Sequence, residues 1–152
     1  MTMKFKVSDY PDRLTQIYGA LIALGLIAYF WLAKILGFIN IPEFRLFNVV
    51  IQTAGIYLAC KQFRQLHAGS INYFRAMAIG FITSTIGTTL FAMFLFILFQ
   101  IDKPLFESII RDEPLRTYLT VYMATFAVWT EGMVSGTVAT FLLTNIMDSD
   151  QP

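Results

Sequence analysis

Cysteine and histidine are almost missing from this chain, with Cys60 and His67 the single examples of each. One cysteine excludes an intrachain disulfide and any cysteine cluster for zinc or iron–sulfur. One histidine excludes a haem held by two histidines of the same chain, and His67 falls in a polar link where an exposed loop residue is expected. Charge is scarce as well: 14% of residues are charged, against about 25% in an ordinary soluble domain. The net charge of +1 gives no basic excess for nucleic acid and suggests no strongly acidic partner. GxGxxG, Walker, HExxH and G-x-S-x-G patterns are all missing. Ser135, in MVSGT, resembles a nucleophile only superficially, because no histidine lies in the apolar stretches to activate it. No set of acids or histidines converges, so neither an enzyme nor a metal or cofactor site is expected.

What the chain has instead is apolar mass. Of its 152 residues 57% are hydrophobic, and the fifteen phenylalanines exceed what a compact soluble fold of this length can bury. The composition is that of an integral membrane protein. A spanning helix needs roughly 20 mainly apolar residues, and four segments reach that length, at about 16–40, 44–63, 75–100 and 118–147. The first run is far longer than the ~7–15-residue core of a signal peptide, so it reads as an uncleaved span, closed by Pro42. The second segment is the least hydrophobic. The third and fourth exceed a ~30 Å hydrocarbon core at ~1.5 Å per residue and must tilt or protrude. The expected fold is an all-α bundle of four transmembrane helices, forming one membrane domain over 1–152.

The links are short. Residues 41–43 make the first pair an antiparallel hairpin, and the next link is basic with a turn at Gly69 and Ser70. The last link, IDKPLFESIIRDEPLR, places Leu105, Phe106, Ile109 and Ile110 on one helical face, with Glu107 and Arg111 as an i,i+4 pair opposite. Asp102 suits the N-cap, Pro104 the first turn and Pro114 the stop, which predicts a short interfacial helix at about 103–113. A solvated turn with incidental apolar residues is the alternative. Lysine and arginine set orientation: Lys4, Lys6, Arg13, Lys61, Arg64 and Arg75 oppose Arg45, Lys103, Arg111 and Arg116. The balance puts both termini in the cytoplasm, in a bacterial inner membrane.

Candidate functional residues are the polar groups inside the spans. Glu131 stands near the middle of the fourth, where a charged carboxylate costs at least ~2.5–3.5 kcal/mol; the neutral, hydrogen-bonding acid is therefore the cheaper form. Its helical face holds Ala124, Ala127, Val128, Ser135 and Val138, small enough to predict packing against another helix. Gly132 and Gly136 form an adjacent GxxxG pair, and Ala76, Gly80, Ser84 and Gly87 or Thr88 form a small stripe on the third helix. Glu131 can act as a proton relay or ligand, or as an interhelical hydrogen bond that holds a bundle or a partner together. Its candidate partners are Gln52, Thr53, Thr85, Thr88 and Thr89. Lys34 either snorkels to the surface or reaches inward to pair with Glu131. Phe91, Phe94, Phe96 and Phe99 are expected in lipid or core.

The run GSINYFRAMAIGFITSTIGTTLFAMFLFILFQIDKPLFESI resembles the most characteristic stretch of a bacterial domain-of-unknown-function family, small four-helix membrane proteins common in Bacteroidetes. The likeness lies in Tyr73, Phe74, Ala76 and Gly80 entering the helix, a Phe-rich exit, and Ile101, Asp102, Pro104 and Phe106 after it; EGMVSG is similar to that family's last helix. The chain departs in ending DSDQP where the family commonly closes with basic residues. The resemblance implies a fold and no activity. The leading functional expectation is an accessory or scaffold subunit that associates, with other subunits or itself, through the small faces of the third and fourth helices. The runner-up is a proton-linked transporter or channel-like component using Glu131, with Gln52, Thr88 and Lys34 on a polar path. Beyond lipid, a protein subunit is the expected partner, and nucleic acid is not.

Overall fold

A computed structural model describes residues 10–39, 41, 45–66, 73–111, 113–114 and 116–149. His67, the Gly69–Ser70 turn, Pro42, Lys4 and Lys6 lie outside these. The described residues form five helices and no strand: α1 (Tyr10–Ile35), α2 (Leu46–Leu66), α3 (Tyr73–Ile101), α4 (Lys103–Ile110) and α5 (Val121–Ser149).

Three of them are long and apolar enough to cross a membrane, over Arg13–Ile35, Tyr73–Ile101 and Val121–Met147. The chain therefore has the build of an integral membrane protein. α2 falls outside that set because Asn48, Gln52, Lys61 and Gln62 dilute its apolar residues. Large apolar side chains such as Leu24 on α1, Met93 and Ile97 on α3, and Phe126 and Phe141 on α5 face outward, as lipid-facing surfaces do.

α1 ends sooner than Pro42 would dictate. Gly37 takes φ +77°, and the turn closes with Phe38 N–H donating to Ala33 C=O (2.9 Å) and Gly37 N–H to Lys34 C=O (3.3 Å). A glycine pays no Cβ penalty in that left-handed conformation, so it terminates the helix one turn before the proline. α4 is capped as the sequence predicts: Asp102 accepts from Leu105 N–H at 3.1 Å, with Pro104 in the first turn. Leu105 and Phe106 are buried beneath it. It stops at Ile110, short of the expected 113, since the residue before Pro114 is pushed out of the helical region. Glu107 and Arg111 are exposed on its outer face, but no bridge joins them among the described residues.

α3 is the central helix. It packs along both α1 and α5, while α2 lies across α1, α3 and α5; the pair α1–α5 has no comparable seam. The close approaches occur at the glycines. A Cβ on Gly87 would lie 2.8 Å from Ile22 of α1, one on Gly80 2.6 Å from Thr140 of α5, and one on Gly132 would meet Thr88 of α3. Towards the termini the interior is filled by Ile56, Ala59, Cys60, Phe63 and Ile79. Thr140 and Thr144 satisfy their hydroxyls on Gly136 C=O (2.7 Å) and Thr140 C=O (2.9 Å) of their own helix.

Thr83 is the exception: fully buried, its Oγ1 has no hydrogen-bond partner among the described residues. Thr83→Val keeps the branched shape and removes the unpaired group. It should raise stability by about 1 kcal/mol in a detergent unfolding titration; a loss of that size would mean the hydroxyl is bonded.

Candidate intramembrane site

Gln52 is the centre of the buried polar chemistry. It sits on α2 at 3% exposure, with Ser84 and Thr88 of α3 at 1% and 2%. Its amide Nε2 donates to Ser84 Oγ (2.7 Å), Thr88 Oγ1 (3.0 Å) and the carbonyl of Gly132 on α5 (2.9 Å). Its Oε1 accepts from Ser135 Oγ at 3.0 Å, and the same hydroxyl lies 3.2 Å from Gly132 C=O. One side chain thus ties three helices. An amide suits the position because it carries both donors and an acceptor without a charge to desolvate. The glycines make room for it: a Cβ on Gly136 would fall on Ser84 Oγ and 2.6 Å from Gln52 Nε2.

Beyond this network the inward face of α3 changes from Gly80, Ser84 and Gly87 to Phe91, Leu95 and Phe99, which pack with residues of α1 and α5. A cavity of about 260 Å³ lies in the half of the bundle that carries α4. Tyr29, Phe30, Phe91, Phe99 and Phe106 form its walls, and Gln52, Thr88, Glu131 and Ser135 its inner end. At its rim the Arg45 guanidinium meets the Glu113 carboxylate at 2.8 Å, joining the start of α2 to the segment after α4.

Glu131 belongs to this cavity and not to a helix seam. Ala124, Ala127, Val128 and Ser135 line the cavity with it, whereas Val138 faces outward. Glu131 is exposed and makes no hydrogen bond or ion pair with the described residues, so the expected interhelical bond is absent there. The physical reason is the turn of the helix. Gly132 and Gly136, rather than Glu131, face α3, and Gln52 takes the seam's hydrogen bonds.

The other proposed partners are engaged elsewhere. Thr53 and Thr85 donate to Val49 C=O (2.7 Å) and Phe81 C=O (2.8 Å), and Thr89 accepts from Trp129 Nε1 at 3.1 Å. Lys34 does not reach Glu131. Its ammonium lies 3.7 Å from Asp102 and 4.8 Å above the Trp31 ring, at the end of α1, the snorkelling alternative. Of the five polar candidates the structure therefore gathers Gln52, Thr88, Glu131 and Ser135 at one cavity and leaves Lys34 outside it.

All five small packing candidates, Gly80, Ser84, Gly87, Gly132 and Gly136, are consumed by seams within the chain. Gly80, Ser84, Gly132 and Gly136 meet across the α3–α5 seam, and Gly87 packs on Ile22 of α1.

Residues 17–118 match the family described as Protein of unknown function (DUF4199). The chain belongs to this family. The matched DUF4199 segment runs from α1 through α4 and carries Lys34, Arg45, Gln52, Ser84 and Thr88. It stops before α5, so Glu131, Gly132, Ser135 and Gly136 lie outside the matched residues, including the EGMVSG on which part of the resemblance rested. No curated protein and no solved structure matches the chain.

Three features of the site escape a reading of the sequence: the Arg45–Glu113 bridge, the Tyr29 and Phe30 walls, and the Gly37 terminator. Only the last had a local signal, a glycine three residues past Lys34 at the end of an apolar run.

Proposed function

We propose that this DUF4199 member is a four-span transport component of a plasma membrane, in which the cavity is the solute site and Glu131 its protonatable group. The observation that carries the reading is the meeting of Glu131 with Gln52, Thr88 and Ser135 at the inner end of one cavity. An unbonded acid deep in a membrane is expensive unless it faces a partner or a hollow. Glu131 lies about 15 Å along α5 from Val121, so it faces the hollow near mid-depth.

α2 acts as the fourth span. It runs between three spanning helices, exposes Phe47, Val50, Tyr57 and Leu58, and turns Gln52 inward where its polar groups are satisfied. Mean hydropathy counts that buried amide against the helix, although lipid never meets it. With both termini cytoplasmic, the cavity opens to the outer side, under α4. The other ionisable groups on its lining are Tyr29, Arg45 and Glu113, the last two paired at the rim.

Reconstitution in liposomes with an entrapped pH-sensitive dye tests this. Wild-type protein should move protons in answer to at least one member of a panel of small cationic, neutral and anionic solutes. Glu131→Gln should lose that movement while its thermal unfolding is unchanged, because the Glu131 side chain bonds to none of the described residues. Equal proton movement by the variant, or none by the wild type with any solute, rejects the reading.

A further inference from the structure

The charges on the cavity lining do not cancel. Arg45 and Glu113 neutralise each other at 2.8 Å on the rim. That leaves Glu131 as the acidic group with no cationic partner among the described lining residues. Between it and the rim the walls carry aromatic rings in tilted contact, with Phe30 6.5 Å from Phe99 and Phe99 5.3 Å from Phe106. Ring faces attract a cation, and the attraction grows when both partners are out of water.

The polar groups beside Glu131 discriminate differently. Gln52 shares its two amide hydrogens among Ser84, Thr88 and Gly132, and its Oε1 accepts from Ser135, so a neutral polyol would have to break bonds that hold three helices together. Asn48, nearer the rim, adds one uncharged amide. An anion would meet the Glu131 carboxylate in a poorly screened hollow.

We propose that the cavity binds a lipophilic monovalent organic cation, a small quaternary or protonated amine, with its charge against Glu131 and its apolar body among Tyr29, Phe30, Phe91, Phe99 and Phe106. This rests on the reading above that the cavity is the solute site, and it names the class of solute. Cation and proton then compete for one carboxylate, one for one: the carboxyl O–H bond breaks and its proton passes to water as the cation binds, and no other covalent bond changes.

The test is calorimetric titration of the purified full chain in mild detergent with benzyltrimethylammonium. Its uncharged isostere neopentylbenzene and the anion phenylacetate serve as comparisons. The cation should bind at least about tenfold more tightly than the hydrocarbon, and phenylacetate should not bind detectably. Glu131→Gln should weaken cation binding by about tenfold or more and leave the hydrocarbon unaffected. Equal affinity for cation and hydrocarbon in the wild type overturns the proposal, and so does undiminished cation binding by Glu131→Gln. The comparison within the wild type stands even if the variant folds poorly. Cation binding without any proton movement would reject transport while upholding the binding site. Proton movement driven by a neutral or anionic solute alone, without cation binding, would do the reverse.

Discussion

Gln52→Ala is expected to cost about 3 kcal/mol of stability, among the largest losses available from a single side chain in this bundle. The hydrogen bonds alone do not supply that much. Interhelical bonds in membranes average about 0.6 kcal/mol, because the helices find other partners when separated. At that average the four contacts to Ser84, Thr88, Gly132 and Ser135 account for about 2.4 kcal/mol. The remainder comes from the void left where three helices meet at a residue only 3% exposed. Gln52→Leu separates the two contributions, since it fills the space and makes no bonds. It should lose about 1–2 kcal/mol, less than alanine. Unfolding titrations in mixed detergent micelles measure both. If the alanine variant loses less than about 1 kcal/mol, Gln52 is not the tie between α2, α3 and α5.

Gly136→Ala is the second large effect, and its sign runs against intuition. In an exposed helix the change would gain about 1 kcal/mol of propensity. Here the new methyl would fall on Ser84 Oγ and 2.6 Å from Gln52 Nε2, so the seam between α3 and α5 must open or the amide must leave its acceptors. A net loss of about 2 kcal/mol is expected. Gly25→Ala is the natural comparison, because a Cβ there would meet one atom alone, the Ile51 Cγ2 methyl at 3.0 Å, and it should be close to neutral. The mechanism also predicts a rescue. Ser84→Gly in the Gly136→Ala background moves the small residue to the other side of the seam and should recover at least half of the loss. Additive losses from the two changes would refute the contact, since residues that touch are coupled.

These two residues show how far spacing alone carries. The GxxxG of Gly132 and Gly136 and the stripe of Gly80, Ser84 and Gly87 are legible as close-packing faces, because residues four apart share a helix face whatever the helix meets. Gln52 is legible as a polar group within an apolar run. Its role is not, because its bonds reach residues 32, 36, 80 and 83 positions away. Glu131 shows the opposite error. Its neighbours Ala124, Ala127 and Ser135 have the composition of a packed seam, but small residues line a hollow equally well. Which of the two results depends on the helix opposite, and on the bulk of Phe91, Leu95 and Phe99 along it.

The sequence by itself determined the membrane class, the four long helices (the last three to within about three residues at their ends, α1 displaced by five or six), and the capped amphipathic α4 with Leu105 and Phe106 turned inward. Each rests on short-range physics: apolar run length, helical period, and an aspartate three residues before the N–H it caps. The tertiary structure alone decided that the small faces meet within the chain, that Lys34 pairs with Asp102, that Arg45 meets Glu113, and that Glu131 opens on a cavity. Each depends on how helices distant in sequence rotate and splay against one another. Periodicity fixes which residues share a face, but only packing fixes what that face meets.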